Sequence, residues 1–90
     1  MAYGQITVVN SSTLILSANP LRRNFVIQNN SRDDMFIGQD DSVSVFTGLA
    51  IYGSGSYSEE VDANHKAWIG EVWGISSVSD SDVRYWESSE

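Results

Sequence analysis

Few residues in this chain have side chains suited to acid–base or covalent chemistry. Its one histidine, His65, stands in the polar run Asp62-Ala63-Asn64-His65-Lys66, and cysteine is absent. A Ser-His-Asp hydrolase needs a base, an orienting acid and a nucleophile in mutual reach. The base would have to be His65, and the serines stand in turn contexts instead of a nucleophile elbow. Without cysteine there is no thiol nucleophile and no disulfide, and one histidine cannot assemble the roughly four nitrogen or sulfur ligands of a structural zinc site. The paired acids Asp33/Asp34, Asp40/Asp41, Glu59/Glu60 and Asp80/Asp82 remain. Calcium takes about 6 to 8 oxygens, which several loops can converge to supply, but no segment has the spacing of a calcium-binding loop. A glycosidase pair would need a cleft that short strands hardly build. The acids therefore read as groups that solvate loops and discourage edge-to-edge strand pairing. No catalytic residue, metal or cofactor is expected, and the chain is not expected to be an enzyme.

Aromatic residues carry more information. Tyr52, Tyr57, Trp68, Trp73, Tyr85 and Trp86 crowd into the second half. In Ala67-Trp68-Ile69-Gly70-Glu71-Val72-Trp73-Gly74-Ile75, strict alternation puts Trp68 and Val72 on one face and Ile69, Trp73 and Ile75 on the other. One face can be a core; the other needs a partner or tail to cover it, because exposed Trp and Tyr favour interfaces. Alternatively, a bulge at Gly70 or Gly74 shifts the register and takes both tryptophans inside.

Charge is unevenly spread. Net charge is −7, yet residues 1 to 32 hold Arg22, Arg23 and Arg32 with no acid, and all twelve acids follow against Lys66 and Arg84, so the two parts carry +3 and −10. A phosphate backbone would be repelled by most of this surface, which argues against nucleic acid. The arginines either pair with acidic loops of the same fold or meet those of a neighbouring copy. No apolar run approaches the roughly 18 residues of a membrane span, and the opening Met-Ala-Tyr-Gly-Gln does not resemble a signal peptide.

The elements that must position these groups are strands. Helix-forming periodicity is nearly absent, whereas short β-branched and aromatic runs recur between turns. Strands are expected at Gln5–Val9 and Thr13–Ser17, paired as a hairpin, then at Arg22–Asn29 as the central strand, with Phe25 and Ile27 opposite Val26. Asp34–Gly38, Val43–Phe46, Leu49–Tyr52, Ser56–Val61, Ala67–Ser76 and Asp82–Trp86 follow, and residues 87–90 read as a frayed tail. The expected fold is all-β: one domain over residues 1–90, a small antiparallel β-sandwich or barrel of about seven to nine short strands. A core of this size buries only about 60 to 65 % of the unfolded surface, and with no disulfide or metal to reinforce it, a homo-oligomer is expected.

The segment Ser17-Ala18-Asn19-Pro20-Leu21-Arg22-Arg23-Asn24-Phe25-Val26-Ile27-Gln28-Asn29 resembles small β-sandwich virion proteins of tailed bacteriophages, in which S-A-N-P-x-R-x-x-x-x-I-Q-N precedes a turn and a strand ending in I-G. Met35-Phe36-Ile37-Gly38 supplies that ending. Gly53-Ser54-Gly55-Ser56-Tyr57 resembles the family's glycine-serine turn, and Val72-Trp73-Gly74-Ile75-Ser76 with Asp82-Val83-Arg84-Tyr85-Trp86-Glu87 resembles its closing A-I-S and D-V-R-V-x-E pattern, with Trp86 in place of a small aliphatic residue. The resemblance implies a capsid decoration (cement) protein that binds the phage major capsid protein on the virion surface after synthesis in the bacterial cytoplasm. It favours a trimer over a dimer, and its alternative is a glycan- or receptor-binding module of a phage fibre. The residues expected at such an interface are Trp68, Trp73, Tyr85 and Trp86 for burial, with Arg22, Arg23 and Arg32 as polar partners.

Overall fold

Runs of alternating apolar residues too short for helices leave sheets as the means of satisfying the backbone. The computed structural model describes residues 2–61, 66–78 and 80–89. The polar loop expected around His65 lies outside these residues apart from Lys66, as do Ser79 and Glu90. Among the described residues eight strands are formed: β1 (Ala2–Val8), β2 (Thr13–Leu16), β3 (Arg22–Asn29), β4 (Met35–Gly38), β5 (Leu49–Ile51), β6 (Ser56–Glu60), β7 (Val72–Ser76) and β8 (Ser81–Ser89). They make two four-stranded sheets, sheet I in the order β1-β8-β3-β6 and sheet II in the order β2-β7-β4-β5. All pairings are antiparallel. The expected all-β sandwich is therefore the fold, and β3 lies inside its sheet as expected of the central strand.

The core lies between the sheets. Val8, Phe25, Ile27 and Val83 come from sheet I, and Ile15, Leu16, Met35, Ile37, Ile51 and Val72 from sheet II. Phe25, Ile27 and Met35 are fully buried, each removal from water stabilising the fold by about 1.5–3 kcal/mol. Gly74 lies on this inner face, where a Cβ would meet Ile15 Cδ1 at 2.7 Å. Its lack of a side chain makes room for Ile15 and Met35 of the neighbouring strands β2 and β4.

Four local expectations are corrected. β1 and β2 do not form a hairpin; they enter different sheets, β1 pairing with β8 and β2 with β7. The Asn10-Ser11-Ser12 link is an arch between sheets, in which Thr13 Oγ1 donates to Ser11 O at 3.0 Å and accepts from Val9 N at 3.5 Å. Val43–Phe46 is a turn, since Ser44 satisfies its backbone locally: Ser44 O accepts from Thr47 N and Gly48 N, and Ser44 Oγ from Phe46 N. Only Val72–Ser76 of the expected Ala67–Ser76 strand pairs. Residues 87–89 belong to β8, the longest strand, because both β1 and β3 pair with its end: Ala2 and Phe25 with Glu87, and Asn24 with Ser88.

A bulge in β3 decides where its arginines go. Arg22 pairs with Ser89 and Asn24 with Ser88, so β3 advances two residues while β8 advances one. Strict alternation from Phe25 and Ile27 would turn Arg23 inward. The extra residue turns Arg22 inward instead, to 3 % exposure, and leaves Arg23 exposed. Arg22 then reaches acceptors on several elements. Nε donates to Glu87 Oε2 at 2.6 Å, Nη1 to Trp68 O and Gly70 O at 2.9 and 3.0 Å, and Nη2 to Ser17 O at 2.6 Å. The guanidinium also lies 5.5 Å from the Phe25 ring centroid, within cation–π range.

At the other end of β3, Asn29 is fully buried. Its Nδ2 donates to Asp33 O (2.7 Å) and Ile51 O (3.0 Å), and its Oδ1 accepts from Ser31 N at 3.1 Å. It thereby ties the β3–β4 loop and the end of β5 to sheet I. The Gly53-Ser54-Gly55 turn packs on that same loop, Ser54 N donating to Ser31 O at 3.0 Å, with Ser54 at φ 65°.

Because Arg22→Ala leaves Glu87 and three carbonyls facing an unfilled site, we expect a loss of about 3–5 kcal/mol in urea unfolding. Arg22→Lys keeps the charge without the fork and should recover only part of that loss. An Arg22→Ala cost no larger than that of a typical surface substitution, about 0.5 kcal/mol, would contradict the clip.

Candidate protein-docking surface

Inward residues in β7 fix the direction of those between them. Val72, Gly74 and Ser76 are buried, so Trp73 and Ile75 project from the outer face of sheet II. Cross-strand register sets Leu14 beside Trp73, Phe36 beside Ile75, and Ala50 beside Phe36. No outward position within the four strands of sheet II carries a charge. Part of this face is covered by the chain itself. The β4–β5 connection folds back on it, so that a Cβ at Gly38 would meet Val43 Cβ at 2.9 Å and one at Gly48 would meet Phe36 Cβ at 2.8 Å. Val43 is buried in this way, while Phe46 at the tip is 92 % exposed. The turn that presents Phe46 is well bonded: Ser44 Oγ and Thr47 Oγ1 are 3.0 Å apart, and Ser42 N and Oγ both donate to Asp40 Oδ1. These two bonds also lower the Asp40 pKa.

The seven expected interface residues do not form one site. Trp73 is half-buried on the outer face of sheet II, with its indole N–H donating to Glu71 Oε1 at 3.2 Å. Of the two expectations for the tryptophans, the bulge that would take both inside is not realised. Trp86 lies on the outer face of sheet I. Tyr85 points inward and packs against the core, where its hydroxyl leaves no room for a Cβ at Gly4. Trp68 also packs against the core, and its indole stands 2.3 Å from where a Gly70 Cβ would be. Gly70 thus admits a side chain where a bulge was the alternative. Arg22 is consumed inside its own fold, as the pairing within one chain required. Arg23 and Arg32 are exposed, but Arg32 follows the far end of β3, about 23 Å from Arg22 at ~3.3 Å per residue, so the arginines are not one patch.

Sequence reasoning missed Phe46, Leu14 and Phe36. Phe46 was assigned to a strand. Leu14 and Phe36 join Trp73 only through pairing across sheet II, which no single segment reveals.

Between β5 and β6 the sandwich edge opens into a cleft of about 60 Å³ lined by Phe25, Ile37, Leu49, Tyr57, Glu59, Trp68 and Val72, room for a few waters. Glu59 closes it: Oε1 accepts from Trp68 N at 2.8 Å and Oε2 from the Tyr57 hydroxyl at 2.5 Å. The hydrogen bond to Glu59, aided by burial and by the carboxylate's charge, pushes the Tyr57 pKa up to about 12. Among the described residues no group of three or more His, Cys, Asp or Glu is placed to hold a metal ion, and no helix is long and apolar enough to cross a membrane.

No family model, curated protein or solved structure matches the chain.

Tyr57 gives a pH test of the edge cleft. Its folded pKa lies above the ordinary 10.0, so its contribution to stability is fully present below that value and is lost as pH rises toward about 12. Phenolate absorbance should show one tyrosine ionising late in the native protein. Tyr57→Phe should remove that late step and flatten the alkaline decline in stability; an unchanged titration would refute the contact.

Proposed function

We propose that the chain is a non-enzymatic structural component of a tailed-phage virion, a capsid decoration (cement) protein that docks on the major capsid protein through the outer face of sheet II. The observation that carries this reading is Phe46, 92 % exposed on a hydrogen-bonded turn beside the uncharged face of Leu14, Phe36, Trp73 and Ile75. Large apolar groups on strands that carry no charge, with Glu71 at the rim beside Trp73, are what a protein partner can desolvate at low cost, and a preformed aromatic anchor loses little entropy on docking. Many copies on a symmetric shell let modest single contacts add up.

The resemblance to phage β-sandwich virion proteins supports this reading through its physical content. Ser17 O and Arg22 are part of the clip. Asn19 caps the turn at Pro20: its O accepts from Arg22 N, its Oδ1 from Leu21 N, and its Nδ2 donates to Ser89 Oγ at 2.7 Å. Ile27 and Ile37 are core, and Asn29 is the buried plug. Most of the similar residues in this segment are those of the framework, so a common scaffold would account for much of the resemblance. Self-association into a closed trimer, which the resemblance favours, would have to leave Phe46 free for the capsid and close through other residues.

Mass spectrometry of purified virions of the encoding phage should find the chain in stoichiometric amount. Added to shells lacking it, the purified protein should bind saturably, and Phe46→Ser should weaken binding at least about tenfold with an unchanged unfolding midpoint. Sedimentation should show a species larger than the 9.9 kDa monomer. Absence from virions, or binding indifferent to Phe46, would overturn the proposal.

A further inference from the structure

Sheet I presents a different outer face. Pairing of β1 with β8 sets Tyr3 beside Trp86, and pairing of β8 with β3 sets Val26 on the other side of Trp86. Tyr3 is 82 % exposed. The adjoining row across the same strands is Gln5, Arg84 and Gln28, and beyond it lies Asp82. A shallow depression of about 450 Å³ runs along Trp86, lined by Val26, Gln28, Arg84 and Tyr85, within the ~300–1,000 Å³ of small-molecule sites. A second of about 300 Å³ lies on the other side of Trp86, with Asn24, Ser58 and Glu60 on its wall.

The charges of the row beside Trp86 cancel, and Glu60 stands apart on the far wall of the second depression. Arg84 Nε and Nη2 each donate at 3.0 Å to the two oxygens of Asp82. The Arg84 bond, with others from Asn30 and Gln5, holds the Asp82 pKa at about 2, so the pair stays ionised at working pH. The guanidinium is thus a fixed, compensated donor instead of a free cation.

We infer that the outer face of sheet I is a binding site for a neutral glycan, stacked on Tyr3 and Trp86 and hydrogen-bonded by Gln5, Gln28, Arg84 and Asp82. Sugar rings combine a C–H face, which the negative face of an aromatic ring attracts, with hydroxyls that both donate and accept. Amide, guanidinium and carboxylate groups beside two aromatics match that pattern. A protein docked here would have to desolvate two amides and an ion pair, whereas sugar hydroxyls take the place of the water they lose. With Arg84 compensated by Asp82 and Glu60 on the neighbouring wall, the face gives a phosphate or acidic polysaccharide no net attraction. It lies on the opposite side of the sandwich from Phe46, so it can be occupied while sheet II is docked, and it does not rest on the capsid reading.

The test is a titration of the isotope-labelled protein, followed by amide and indole NMR shifts, with soluble oligosaccharides of glucose, galactose, mannose and N-acetylglucosamine up to about 10 mM, the range in which weak sites of Kd near 1 mM fill. Shifts should concentrate at the Trp86 indole, Gln5, Gln28 and Arg84 and spare Trp73. Trp86→Ala should weaken binding at least about tenfold. Tyr3→Ala, at an exposed edge position, should weaken it in the same sense without a change in unfolding midpoint, which separates lost stacking from lost fold. No shift with any of the oligosaccharides, shifts centred on Trp73, or binding by both variants as tight as that of the unmodified protein would overturn the inference.

Discussion

A guanidinium taken almost wholly out of water must find acceptors for its donors and a compensating charge, or its desolvation outweighs everything it gains. Arg22 meets that condition with Glu87 from β8, two carbonyls from the irregular segment before β7 and one from the end of β2. Glu87 lies in sheet I, and the three carbonyls lie in segments that adjoin strands of sheet II. Much of the architecture serves the arrangement: the β3 bulge aims the side chain, the carboxyl end of β8 stays paired to bring Glu87 within reach, and residues 67–71 leave the sheet so that their carbonyls turn inward. In a chain without cysteine, this cross-sheet link takes the place of a disulfide staple, and Asn29 does similar work at the opposite end of β3.

The remaining aromatic residues are divided among three environments by the same geometry. Tyr85, Tyr57 and Trp68 add to the core, which a ninety-residue chain needs because so little of its surface can be buried. Trp73 stays on an apolar sheet II, and Trp86 on a sheet I that mixes aromatic and hydrogen-bonding groups. The two outer faces therefore offer different chemistry. One suits a surface that displaces water by apolar contact, the other a ligand that replaces water group for group. An antiparallel sandwich makes this possible, since each strand contributes alternate residues to the core and leaves the others to specialise.

Local pattern was legible where a strand alternates without interruption. In β3 the faces of Phe25, Val26 and Ile27 follow directly from the period of two, as do those of Trp73 and Ile75 in β7. It failed where side chains captured the backbone. Ser44 and Asp40 draw Val43–Phe46 into a turn that β-propensity alone reads as strand, and Arg22 draws the carbonyls of Trp68 and Gly70 out of the ladder. It failed again for β1 and β2, where a three-residue polar link serves an arch between sheets as well as a hairpin. The tail was misread because the short polar residues Ser88 and Ser89 look solvated, while Asn24 and Asn19 bond their hydroxyls.

By itself the amino-acid sequence determined that this protein is all-β, that it has no thiol and a single imidazole, too few for a structural zinc site, and that its aromatic residues exceed what one strand face can hide. Those properties are local: composition and the alternation of side chains along an extended chain need no partner to be read. The tertiary structure decided which arginine is buried, which tryptophan meets solvent, and that Leu14, Phe36 and Trp73 share one face while Tyr3 and Trp86 share the other. Each of those depends on strand order, on a register shift or on a long-range acceptor, and such pairings join residues far apart in the chain whose own neighbours carry no record of them.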